Sequence, residues 1–191
     1  MLFRSRAWGF HRHRASAPTA AELAEAREAV LAAVVELDGD VARLPSAHTQ
    51  LDFGAIGVGY GIDRAVELLR ARALGRAFID VSGDMAAIGA PPGEPGWRVD
   101  IADPDRPGAG RAVATTRLRD AALATAANTE SIVRYGSLVA GHVMDPKTGW
   151  PARALRQASA VTRTAVAADA LSTAMLVTGR TPGGVQRAYR V

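Results

Sequence analysis

Cysteine is absent, which excludes disulfides and thiolate metal sites and leaves the compartment open. Lysine is nearly absent as well: 22 of the 23 basic residues are arginine, and Lys147 stands alone. Aromatic side chains make up only 5% of the chain, so Ala, Val, Leu and Ile must fill the core. No apolar run approaches the ~20 residues of a membrane-spanning helix. No apolar stretch of signal-peptide type follows Met1.

What is present describes a globular protein. The 191 residues suffice for one domain with a proper core, and 48% hydrophobic with 22% charged residues is ordinary globular composition. One domain spanning residues 1–191 is therefore expected. The net charge of +4 raises the question of nucleic acid. The arginines are spread along the chain, apart from Arg4, Arg6, Arg12 and Arg14, and that cluster reads as a solvated leading segment. No nucleic-acid partner is expected.

Residues 1–18 read as irregular. Thr19 with Glu22 three positions later forms a capping-box pattern, and a helix is expected from there to about Leu37. "DGD" should break it, with "VARL" and "TQLDF" as short strands. Residues 57–74 carry a helical stripe of Ile62, Ala65, Val66, Leu69 and Ala73, closed by Gly75. The period then changes. "AFIDV", "MAAIG", "WRVDI", "RAVATTRL" and "AALATA" read as strands, with "PPGEPG" and "DPDRPGAG" as turns. "ASAVTRTA" reads as a further strand, and "AVAADALSTAMLVTG" as a final helix ended by Gly179. Strand blocks with flanking helices and no visible repeat predict a single α+β or α/β domain.

"LDFGAIGVGYGIDRA", residues 51–65, places four glycines before a helical pattern. A dinucleotide fingerprint at a strand-to-helix turn would need a third glycine where Ile62 stands, although Gly57 and Gly59 supply the first two. An NAD(P)-binding oxidoreductase is thus one alternative. The plainer possibility is that these glycines permit a tight turn and close helix packing.

Three further segments carry a resemblance: "VSGDMAAIG" (81–89), "GHVMDPKTGWP" (141–151) and "AVAADALSTAMLVTG" (165–179). In order with residues 51–65, they resemble the ApbE family, the FAD:protein FMN transferases. That family reads D-x-G-x-I-x-K-G-Y-x-x-D, then G-G-D, H-x-x-D-P-x-T-G-x-P and A-D-A-x-x-T-A. "WGF" at Trp8 resembles a family Trp-Gly-Phe. The resemblance spans roughly residues 7–179. It implies an α+β, T-fold-related domain of mixed strands with flanking helices. Family members carry a substantial segment ahead of Trp8, so a member shortened at its N-terminus is expected.

The resemblance implies FAD as substrate, Mg²⁺ as metal, and a target protein whose Ser or Thr receives FMN while AMP leaves. Asp169 and Thr173 are four apart on a predicted helix, so both oxygens share one face. Mg²⁺ takes oxygen ligands, and by resemblance the Ala55 carbonyl joins Asp169 and Thr173. The alternative is a Thr173 that bonds back to its own helix and an Asp169 that is solvated or caps. His142 is implied as the base that takes a proton from the attacking hydroxyl. Asp52, Asp84, Val58 and Met144 fall at cofactor-binding positions. Val58 stands where the family has lysine, and Ser82 replaces the first glycine of G-G-D. An inactive or FAD-binding-only relative is therefore a second alternative. Family members are often exported or membrane-anchored, but the sequence itself fixes no location.

Overall fold

The computed structural model describes residues 6–46, 49–106, 110–129 and 131–191. Arg4, the middle of the loop at 103–110 and Glu130 lie outside the described residues. The fold is α+β. It clusters into two compact units, each assembled from two stretches of chain: Met1–Asp52 with Glu130–Ala152, and Phe53–Thr129 with Arg153–Val191.

The first unit contains helix α1 (Ala20–Leu31) and two hairpins, β1 (Glu36–Asp38) with β2 (Val41–Arg43), and β8 (Ile132–Tyr135) with β9 (Leu138–Gly141). The expected capping box starts α1: the Thr19 side chain accepts from the Glu22 N–H, and Glu22 accepts from the Thr19 N–H. The helix stops at Leu31, short of the expected Leu37. β-branched Val34 and Val35 disfavour the helix there, and Glu36–Asp38 pairs as a strand instead. "TQLDF" forms no strand. A small core gathers Trp8, Leu23, Ala140 and Met144.

The second unit is built on a five-stranded antiparallel sheet. Its spatial order is β11 (Arg187–Arg190), β10 (Gln157–Thr162), β7 (Ala121–Ala127), β4 (Asp84–Ile88), β3 (Ala77–Val81). Side chains alternate between its two faces. On one face Ala86, Ala122 and Ala124 meet Ile62 of α2 (Gly57–Ala71) and Ala165 and Ala168 of α3 (Ala165–Thr178). On the other face Ala87, Ala121, Leu123 and Val161 pack with Val99, Ile101 and Leu118 of a further hairpin, β5 (Trp97–Ala102) and β6 (Ala112–Leu118). The alanine-rich helix face admits two helices closely, which is how so few aromatics still make a core.

Every strand pairing among the described residues is antiparallel. A dinucleotide-binding βαβ unit needs parallel strands, so the oxidoreductase alternative lacks its scaffold. α2 ends at Ala71, and Ala73, not Gly75, takes the left-handed conformation beyond it. Gly179 closes α3 as expected, with φ of 68°. β11 is an edge strand that the sequence reading does not contain.

Candidate functional site

The glycine-rich stretch is first a packing device. A Cβ at Gly59 would lie 2.5 Å from the Ala165 carbonyl oxygen and 2.7 Å from the Val166 Cα, so only glycine lets α2 and α3 approach this closely. Four residues on, Asp63 ties the same two helices together. Its two carboxylate oxygens accept the N–H groups of Ala165 and Val166 at 2.7 and 3.0 Å, while Thr164 caps Ala167. The N-terminus of α3 is thereby satisfied.

α2 has no side-chain cap of its own at Ile56. Its orphan N–H at Gly59 is instead taken by Asp169 Oδ2 at 3.2 Å. In a continuing helix that N–H would have pointed to the carbonyl four residues back, which is that of Ala55. Asp169 therefore sits against the turn that carries Ala55. Along α3 the buried stripe runs Ala165, Ala168, Asp169, Ser172, Met175 and Leu176, so an ionisable group lies in an otherwise apolar or hydroxyl-bearing stripe. Ser172 donates back to the Asp169 carbonyl at 3.0 Å. No such bond is made by Thr173, the residue for which back-bonding was the alternative; it makes no side-chain hydrogen bond among the described residues.

Asp84 opens β4 on the helix-facing side, two residues before Ala86. It accepts from the Thr125 N–H at 3.4 Å. Burial, and then the charge of Asp169, push its carboxyl up from 3.8 to about 6, and burial also pushes Asp169 up. Neither carboxylate forms an ion pair with Arg, Lys or His among the described residues. Two poorly solvated carboxylates without a protein counter-charge offer oxygen donors of the kind a hard divalent cation takes. Among the described residues no group of three or more His, Cys, Asp or Glu comes together as a metal cage. Val58 is exposed in the first turn of α2 and brings no charge.

The remaining expected site residues belong to the first unit. His142 is exposed; its N–H donates to the Ser131 carbonyl, and its ring meets Phe10 edge-on with centroids 6.5 Å apart. The following loop organises itself: Asp145 accepts from the Lys147 N–H at 2.8 Å and the Thr148 hydroxyl at 3.2 Å, and Thr148 accepts from the Trp150 N–H. Buried Trp8 donates its indole N–H to the Gly149 carbonyl at 2.9 Å and packs edge-on against Trp150. Trp8 and the Asp-Pro-Lys-Thr-Gly loop are thus one assembly. Met144 has its side chain fully buried in that small core. Asp52 is exposed.

Asp63 is the important residue without a role in the sequence reading. Its signal was the closing position of the first motif, where an aspartate ends G-Y-x-x-D.

No helix among the described residues is long and apolar enough to cross a membrane. The family model of the ApbE family matches residues 4–185. An FAD:protein FMN transferase of Treponema pallidum is 34% identical over 72% of this chain and 40% of its own length. One from Rhodobacter capsulatus is 32% identical over 91% of this chain and 33% of its own. The ApbE protein of Thermotoga maritima superposes with a TM-score of 0.78 at 27% identity, covering 92% of this chain and 58% of that one. The chain thus spans well under two thirds of the length of these proteins.

Proposed function

The chain belongs to the ApbE family, and from that premise we propose that it transfers FMN from FAD to a Ser or Thr hydroxyl of a target protein in an Mg²⁺-dependent reaction. The hydroxyl oxygen attacks the phosphorus on the FMN side of the pyrophosphate. A P–O bond forms there, the bridging P–O bond breaks, and AMP leaves with the bridging oxygen. FMN remains as a phosphoester on the target. His142 accepts the hydroxyl proton, and its exposure leaves it open to an incoming side chain. Asp169, Thr173 and the Ala55 carbonyl would hold the cation, which when bound would supply positive charge to neutralise that building on the phosphate oxygens. Asp52, Val58 and the Met144 segment are assigned to the nucleotide, and Asp84, a cofactor-binding position by resemblance, to the end of that site nearest Asp169.

The observation that carries this reading is the buried Asp169. Its carboxylate is fixed by the Gly59 N–H, sits beside Asp84 and lacks a protein cation. The test is AMP release from FAD with a Thr-containing peptide pool as acceptor, followed by detection of covalently bound flavin fluorescence. Release that requires Mg²⁺ and disappears in Asp169→Ala supports the reading; release unchanged after exhaustive chelation overturns it. A second reading, FAD binding without transfer, is favoured by the exposed Val58 in place of a lysine. Retained FAD with no AMP produced would select it.

A further inference from the structure

The backbone places a second carboxylate on the same face as Asp169. In the β4–β7 register, Met85 opposes Leu123 and Ala86 opposes Ala122, so Asp84 lies alongside Ala124. Ala124 packs in one cluster with Ala168 of α3, and Asp169 is the next residue of that helix. The Thr125 N–H holds one oxygen of Asp84, as the Gly59 N–H holds one oxygen of Asp169. Each carboxylate is thus anchored by a single backbone donor on a different element, one from the sheet and one from α2. Neither has an ion-pair partner among the described residues. The nearby Asp80 is exposed and spends one oxygen on the Gly83 N–H of its own turn.

We propose that Asp84 is a second carboxylate of the cation site, and that the pair holds a divalent cation before any nucleotide arrives. The proposal rests on the reading of Asp169, Thr173 and Ala55 as that site. One carboxylate leaves a divalent ion with an excess positive charge, which only an incoming pyrophosphate could balance. Two carboxylates match it outright. With Asp84 present, the loaded cation becomes part of the surface that receives FAD. With Asp84 neutral, cation and nucleotide must enter together.

The test is Mn²⁺ binding to the full chain, with free Mn²⁺ followed by electron paramagnetic resonance, with and without FAD. Wild type should bind Mn²⁺ without nucleotide. Asp84→Asn should bind at least about tenfold more weakly without nucleotide, the scale seen when groups that tune a metal site are removed. It should return to within about threefold of wild type once FAD is supplied. Asp169→Asn should fail in both conditions. Urea midpoints for each variant in chelator check that the fold is retained. If wild type takes up Mn²⁺ only with FAD, or Asp84→Asn matches wild type without FAD while Asp169→Asn fails, the inference about Asp84 is wrong and the cation site stands. If Asp169→Asn also binds like wild type, the cation reading falls together with it.

Discussion

The turn at residues 145–150 and the face around Asp169 both contain aspartate, threonine and glycine-bearing motifs, yet they are built in opposite ways. In the turn, Asp145 is matched by the Lys147 N–H and the Thr148 hydroxyl, and Thr148 in turn serves Trp150. The arrangement is exposed and internally satisfied. Around Asp169, two carboxylates are withdrawn from water, the charge of Asp169 raises the proton affinity of Asp84, and each receives one backbone N–H. A self-satisfied turn is inexpensive and shapes the chain whether or not a ligand binds. Unbalanced buried charge costs stability in the free protein, and such a cost points to a ligand. The motif residues therefore divide into those that build the frame and those whose charge the protein leaves unbalanced.

The sharpest way to break this division is within the glycines. Gly59→Ala should destabilise the second unit by about 3 kcal/mol or more, because the added Cβ meets the backbone of α3 and nothing flexible can yield. Gly61→Ala, two positions on, meets nothing within 4 Å and should stabilise by about 0.5–1 kcal/mol through helix propensity. Urea unfolding midpoints measure both. Equal effects would mean that Gly59 is not a packing residue.

Charge at the Asp169 face sets the next effect. The folded protein holds the Asp84 proton more tightly than the unfolded chain does, so this contribution to stability is fully present below about pH 3.8. It is lost as the pH rises through about 6. In chelator, Asp84→Asn should therefore be more stable than wild type above pH 6, by up to about 2 kcal/mol once solvent screening of this half-buried group is allowed for, with the gap closing near pH 4. Asparagine still offers an acceptor to the Thr125 N–H. Parallel stability curves across that range would show that Asp84 carries no such burden.

Asp63→Ala tests the frame. It orphans two N–H groups at the start of α3 and should cost roughly 2 kcal/mol, read by the same unfolding midpoints. No loss would mean that solvent replaces the cap. His142→Ala sits at the other end of the scale, since an exposed side chain should change stability by no more than about 0.5 kcal/mol. If His142 is the base, transfer should nevertheless slow by about 100-fold or more while FAD affinity holds. An equal loss of both would make it a binding residue.

Much of the frame was legible in the sequence because its signals are local. The Thr19–Glu22 box and the Gly179 terminus involve residues within a few positions of each other, and the strands β3 to β7 and β10 announce themselves by composition between turns. The end of α1 was misread because an alanine-rich stripe continues past Leu31, while Val34 and Val35 follow strand preference. β11 is hidden because four residues near the end carry no strand signal without β10 to pair with. At the site, the shared face of Asp169 and Thr173 could be read from helical spacing. The partnership of Asp84 with Asp169 could not: it joins residues 85 apart in sequence, and only the β4–β7 register and the packing of α3 bring them together. Asp63 was invisible as a cap for the same reason, since it serves another helix.

The Asp169 face is proposed to take a divalent cation that FAD then uses. Calorimetric titration of the purified chain with FAD tests it directly, with Mg²⁺ present and after chelation, for wild type and Asp169→Ala. Wild type should bind FAD with Mg²⁺ and lose at least about tenfold in affinity on chelation or in Asp169→Ala, near 1.4 kcal/mol or more. FAD affinity indifferent to both Mg²⁺ and Asp169 would contradict it.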